Sequence, residues 1–312
     1  MKRFLTRTLI FLAPPLIGLA SVFYLADGRT DNFYLRFTTP KQTCFLLGTS
    51  RAAQGMQPAE IDKGLRSIYP DVKMFNYSFT IVQSPYGPTY YYAIQKKIDP
   101  KTKRGVFILA VDPWAISSLT KDPNDSANFK EKELCLGKLT DVTSNPNIPY
   151  LLSIYDEPLL HILKSRLRPN PGLLHKDGWL EINAPMDSVS VKKRLAAKIE
   201  TYKKTMMPVY HFSSVRFYFL QKMISFLQQH GDVYLVRLPI SPQIKLMEAE
   251  LMPDFDAKIN SLAAQMKIPY FNFIGSCADF SYTDGNHLYK KSGKQVSQQI
   301  ADSIVTYKAK GN

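Results

Sequence analysis

Cys44-Phe45-Leu46-Leu47-Gly48-Thr49-Ser50-Arg51 sets the organisation of the chain. A short apolar run that ends in Gly-Thr-Ser and leads into a helical pattern predicts a buried strand whose C-terminal end presents a serine in a turn. In open α/β sheets ligands bind at that edge. A second run, Gly105 to Val111, is too uniformly apolar to have a wet face and predicts a central strand of a covered parallel sheet. Asp112-Pro113-Trp114 stops it and places Asp112 at the same edge as Ser50. Further strand patterns at Val72 to Tyr77, Asp232 to Leu238 and Pro269 to Phe273 alternate with helical patterns. Those helices fall near Pro58 to Ile68, Ser84 to Ile98, Phe212 to Gln229, Asp254 to Met266 and Lys290 to Tyr307. The alternation implies crossover connections and an α/β fold: a doubly wound, mainly parallel five-stranded sheet flanked by helices.

Outside that frame lie two other segments. Met1-Lys2-Arg3 and Arg7 precede an apolar run, residues 8–26, that would span roughly 28 Å as a helix and cross a bilayer core. The basic N-terminal flank puts the N-terminus in the cytoplasm and the rest of the chain outside it. Gly18-Leu19-Ala20 offers a cleavage site, but the apolar run continues past it, which favours a single-pass anchor over a removable signal. Residues 1–27 are therefore read as anchor or signal, 28–42 as a polar linker and 43–312 as the α/β domain. Within the domain, residues from about 117 to 190 break the alternation. This proline-punctuated, largely helical insertion includes a periodic stretch from Tyr150 to Leu167.

Composition narrows the function classes. Hydrophobic residues at 45% and charged residues at 21% describe a globular protein. Forty Lys and Arg against 26 Asp and Glu give a net charge of +14, yet the cations are scattered, with no zinc-finger spacing or RNP-like segment. That pattern points to anionic lipid or polymer, not nucleic acid. No glycine-rich loop follows the first strand and no histidine pair has ligand spacing, so neither cofactor nor metal is expected. Three cysteines, Cys44, Cys135 and Cys277, leave one unpaired at least; a Cys135–Cys277 disulfide stays open in an oxidising compartment.

A serine at a sheet edge becomes a nucleophile only if a base reaches it. Of five histidines, His287 stands out because it closes Asp284-Gly285-Asn286-His287, a turn that holds an acid three residues before the imidazole. Ser50, His287 and Asp284 together form a candidate catalytic triad. Taken singly, each motif reads more readily as an ordinary loop, and a serine after a glycine is an ordinary loop or N-cap choice.

With those residues placed, the chain resembles the SGNH (GDSL-like) hydrolase superfamily, over residues 42–115 and 230–307. Within it, the chain is most similar to the membrane-anchored envelope branch associated with polysaccharide O-acetylation and teichoic acid D-alanylation. Gly48-Thr49-Ser50-Arg51 matches the nucleophile block and Asp284-Gly285-Asn286-His287 the block that completes the triad. The resemblance implies a flavodoxin-like fold, an oxyanion hole from the Ser50 and Ser78 amides, and substrate contacts from Arg51, Asn76 and Asp112. Two departures stand out: the second block lacks its glycine, and Asp112 replaces an asparagine. An ionised carboxylate repels an oxyanion, so Asp112 is expected to pair with Arg51 or with strand-end amides. The implied activity is that of a serine-dependent acyl esterase or O-acyltransferase. Its substrate would be an envelope polysaccharide or other acylated polymer, met at the outer face of the inner membrane beside a membrane-bound O-acyltransferase. The alternative is a catalytically silent module that binds polysaccharide or scaffolds an assembly.

Overall fold

The computed structural model describes residues 1–167 and 171–311. Five strands form one sheet in the order β2-β1-β3-β8-β9, with every neighbouring pair parallel. They are β1 (Cys44–Leu47), β2 (Met74–Asn76), β3 (Gly105–Ala110), β8 (Gly231–Arg237) and β9 (Tyr270–Asn272). After β1 the chain winds outward to β2 and then returns across the sheet to β3. The C-terminal ends of β1 and β3 therefore border a switch-point crevice.

Alternation along the strands divides the core in two. Phe45, Leu47, Phe107, Leu109, Val233 and Leu235 face one side. There they meet α4 (Pro88–Lys97), α9 (Ser214–Gln228) and α11 (Phe255–Met266) through Ile94, Leu220, Ile224 and Ile259. Cys44, Leu46, Val106, Ile108, Tyr234 and Val236 face the other side. Their partners come from α2 (Ser50–Gly55), α3 (Pro58–Leu65) and α12 (Lys290–Lys310), through Ala52, Ile61, Val296 and Ile300. Burial on both faces is why these strands read as continuous apolar runs.

α1 (Lys2–Tyr24) runs unbroken through Pro14 and Pro15 and is long and apolar enough to cross a membrane. Segment 28–42 is no free tether. Tyr34, Arg36 and Phe37 are fully buried, in a 3-10 turn. The Arg36 guanidinium donates to the carbonyls of Asn32, Asn76 and Gly178, which ties this segment to the domain.

The insertion is less helical than its periodicity suggests. β4 (Ser117–Ser118) pairs with β7 (His211–Phe212), and α5 (Cys135–Lys138) is a single turn. Where the sequence predicts one helix from Tyr150 to Leu167 there are two, α6 (Ile148–Ser153) and α7 (Leu160–Leu167). Pro158 between them lacks the amide that a continuous helix needs. A hairpin of β5 (Gly172–Leu174) and β6 (Leu180–Ile182) follows. α8 (Ser188–Thr201) runs on into a π-helical turn, Tyr202–Met206. α10 (Pro242–Leu251), which the sequence reading passes over, completes the set. All three cysteines are free and buried, so Cys135 and Cys277 form no disulfide.

Candidate active site

The turn that carries Ser50 is built on Gly48. Its φ is +148°, and a Cβ there would lie 2.9 Å from Ala52 Cβ and 3.1 Å from the Ala110 carbonyl oxygen. Only glycine fits that conformation without strain. The Gly48 N–H donates to Tyr90 Oη (3.1 Å), and Ser84 Oγ donates to the Gly48 carbonyl (2.8 Å), which pins the turn from below. Gly48→Ala is therefore expected to destabilise the fold by about 1–3 kcal/mol. A lower urea midpoint at unchanged slope would register it.

Thr49 occupies the N-cap position of α2 without a side-chain cap bond, and Ser50 is the first residue of the helix. Ser50 Oγ lies 2.8 Å from His287 Nε2. On the other side of the ring, His287 Nδ1 is 3.0 Å from Asp284 Oδ2 and 3.1 Å from Oδ1. The same carboxylate accepts the backbone N–H groups of Asn286 and His287, so the turn that carries the acid also holds it. Gly285, at φ +82°, allows the tight return. Lys198 Nζ sits 3.2 Å from Asp284 Oδ2. Burial works to raise the Asp284 pKa, but the His287 imidazole and Lys198 outweigh it and hold the carboxyl far below the usual range. None of the other histidines bonds the serine: His161 meets Tyr155, His175 meets Glu181, and His230 meets the Thr102 carbonyl, while His211 lies exposed in β7.

A cavity of about 100 Å³ opens beside this pair, walled by Ile81, Trp114, Tyr202 and Met206, with Asp112, Arg51 and Asn286 around its floor. Arg51 is buried. It donates through Nε (2.9 Å) and Nη2 (2.6 Å) to Asn286 Oδ1, and its Nη1 pairs with Glu248 Oε1 at 2.6 Å. Tyr202 Oη donates to the same Asn286 oxygen at 2.7 Å. Three donors on Oδ1 fix the amide so that Nδ2 points to His287 Nε2, 3.2 Å away. Glu248, fully buried, also pairs with Arg237 at 2.9 Å. Of the two partners expected for Asp112, Arg51 is thus taken by Glu248, supplied by α10, and the strand-end amide is the one that Asp112 keeps. Arg51→Met would leave Glu248 buried with one cation in place of two. A loss of about 3 kcal/mol in stability is expected from denaturant titration.

Asp112 is buried at the foot of the cavity. It accepts the Ala115 N–H at Oδ1 (2.9 Å) and the Thr49 hydroxyl at Oδ2 (3.2 Å). Burial raises its pKa; Glu248 adds to the rise, and Arg51 with the two hydrogen bonds opposes it.

Two predicted site residues lie elsewhere. The Asn76 side chain donates to the carbonyls of Ala52 and Met56, beneath α2, and is fully buried. Ser78 spends its amide on Asn76 Oδ1 (3.2 Å) and its hydroxyl on the Leu46 carbonyl (3.1 Å). Neither lines the cavity, so Asn76 is a brace for α2 and the Ser78 amide is taken. Residues the sequence did not single out take their place: Lys198 and Tyr202, four apart on one helix face, and Trp114 beside Asp112. Among the described residues no group of three or more His, Cys, Asp or Glu is placed to hold a metal ion.

The chain matches no protein-family model, and no curated protein matches it.

Proposed function

We propose that this protein is a serine-dependent acyl esterase or O-acyltransferase of the SGNH type that acts on a cell-envelope polysaccharide or other surface polymer. The observation that carries the reading is the continuous hydrogen-bonded chain Ser50 Oγ, His287 Nε2, His287 Nδ1 and Asp284 at the mouth of a cavity. His287, oriented by Asp284, takes the Ser50 proton as Oγ attacks an ester carbonyl. The tetrahedral oxyanion collapses, the alcohol leaves with the proton from His287, and the acyl group stays on Ser50. Water or a sugar hydroxyl, deprotonated by His287, then releases it.

The oxyanion is met by the Ser50 N–H at the first turn of α2 and by the Asp112 corner. An ionised Asp112 would repel it, whereas the neutral acid carries an O–H that can donate; burial shifts Asp112 towards the neutral form, against Arg51 and its two hydrogen bonds. A cavity of about 100 Å³ suits an acyl group of a few carbon atoms, since about 150 Å³ already holds benzene. α1 serves as a single-pass anchor in the cytoplasmic membrane, with the N-terminus cytoplasmic and the domain outside, where a membrane-bound O-acyltransferase would be its neighbour.

Incubation with a fluorescent fluorophosphonate tests the reading. The wild type is expected to be labelled and Ser50→Ala to stay unlabelled. A folded wild type that takes no label would favour the silent polymer-binding module instead.

A further inference from the structure

We infer that the domain is seated directly on the bilayer, with the outward face of α7 lying in the lipid headgroup layer. The inference rests on the anchor reading of α1. Crossing about 30 Å of hydrocarbon takes about 20 helical residues. Residues 8–26, the uncharged apolar run, would span only roughly 28 Å. Yet the last turn of that run is already inside the domain: Phe23 and Ala26 are 8% exposed and belong to the main core cluster, with Val22 and Leu25 packed against it. No length is left for a gap between membrane exit and domain. The surface around residues 22–27 must therefore meet the headgroups.

That surface has the chemistry for it. α7 packs beside α1, and Arg166 on α7 donates to the Leu25 carbonyl (2.6 Å) and pairs with Asp27 (3.2 Å), which fixes the helix at the exit. Ile162 and Ser165 bury the inner side of α7. Leu160, Lys164 and Leu167, at helical spacing on the opposite side, point outward, with Leu160 56% and Leu167 84% exposed. Two leucines flanking a lysine are what an interfacial helix presents, the leucines entering the acyl boundary while the ammonium reaches the phosphates. A bilayer, not a protein, is the occupant argued for, because the adjoining helix already enters it.

The test uses the full chain in vesicles of phosphatidylethanolamine and phosphatidylglycerol, with an environment-sensitive fluorophore on single introduced cysteines. Leu160→Cys and Leu167→Cys report on α7, Leu16→Cys on α1, and Leu246→Cys, at a site 72% exposed on α10, is the water-facing control. Labelling of the chain without an introduced cysteine sets the background of the three buried thiols. Quenching by nitroxide-bearing lipid is expected to be several-fold stronger at positions 160 and 167 than at 246. Quenching at position 16 with none at 160 and 167 overturns the seating and leaves the anchor standing. No quenching at 16, 160 or 167 overturns both, and equal quenching at 160, 167 and 246 also overturns the seating.

Discussion

Ser50→Ala and His287→Ala are each expected to lower kcat/KM on a short-chain aryl ester by roughly 10⁴- to 10⁶-fold, and the double variant to lose no more than either alone. The non-additivity is the informative part. Ser50 Oγ and His287 Nε2 are 2.8 Å apart and work as one unit: without the imidazole the hydroxyl keeps its proton, and without the hydroxyl the imidazole has nothing to deprotonate. Neither change should disturb folding, since Ser50 heads a short helix whose turn is held by Gly48, Tyr90 and Ser84 and not by its own side chain. Steady-state rates with matched near-UV spectra check this. A double variant that falls by the product of the two single losses would mean that serine and histidine act independently, and the acyl-serine mechanism would fail.

The parts of this architecture that depend on local pattern are legible in the sequence. β1 and β3 are apolar throughout because both faces are covered, and the Gly48 and Gly285 turns announce themselves by residue type. Side-chain direction is another matter. An asparagine at the end of β2 can point into the crevice or under the neighbouring helix, and the carbonyls of Ala52 and Met56 at the C-terminal end of α2 draw Asn76 under it. Segment 28–42 is polar on average, yet Tyr34 and Phe37 are core residues and Arg36 is buried on carbonyls; the average conceals which residues face inward. α10 had a start signal in Ser241-Pro242, with Ile244, Met247 and Leu251 at helical spacing. Its importance could not be read even so, because Glu248 meets Arg51 only once the chain has folded.

Asp112 marks where the chain departs from the resemblance that organises its reading, and Asp112→Asn is expected to separate the two protonation states by pH. As a neutral acid, Asp112 donates to the oxyanion much as a carboxamide would. As a carboxylate it donates nothing and repels charge, and loss of one such donor costs about 10²- to 10³-fold. The groups that set the balance are Arg51 from α2, Glu248 from α10, and the Ala115 N–H and Thr49 hydroxyl that Asp112 accepts. Arg51 favours the carboxylate, Glu248 opposes it, and burial opposes it most. The ratio of kcat/KM for Asp112→Asn to that of the wild type should therefore climb with pH, from near one where Asp112 is protonated towards about 10² where it ionises. Stability should follow with matching sign. A carboxyl whose folded pKa is raised above the ordinary 3.8 holds its proton after the unfolded chain has lost it. Its contribution is complete below the unfolded pKa and is lost as pH rises through the folded one. Asp112→Asn removes that slope. A rate ratio that stays near 10² at every pH would show that Asp112 is ionised throughout, and the neutral-acid oxyanion hole would have to be abandoned.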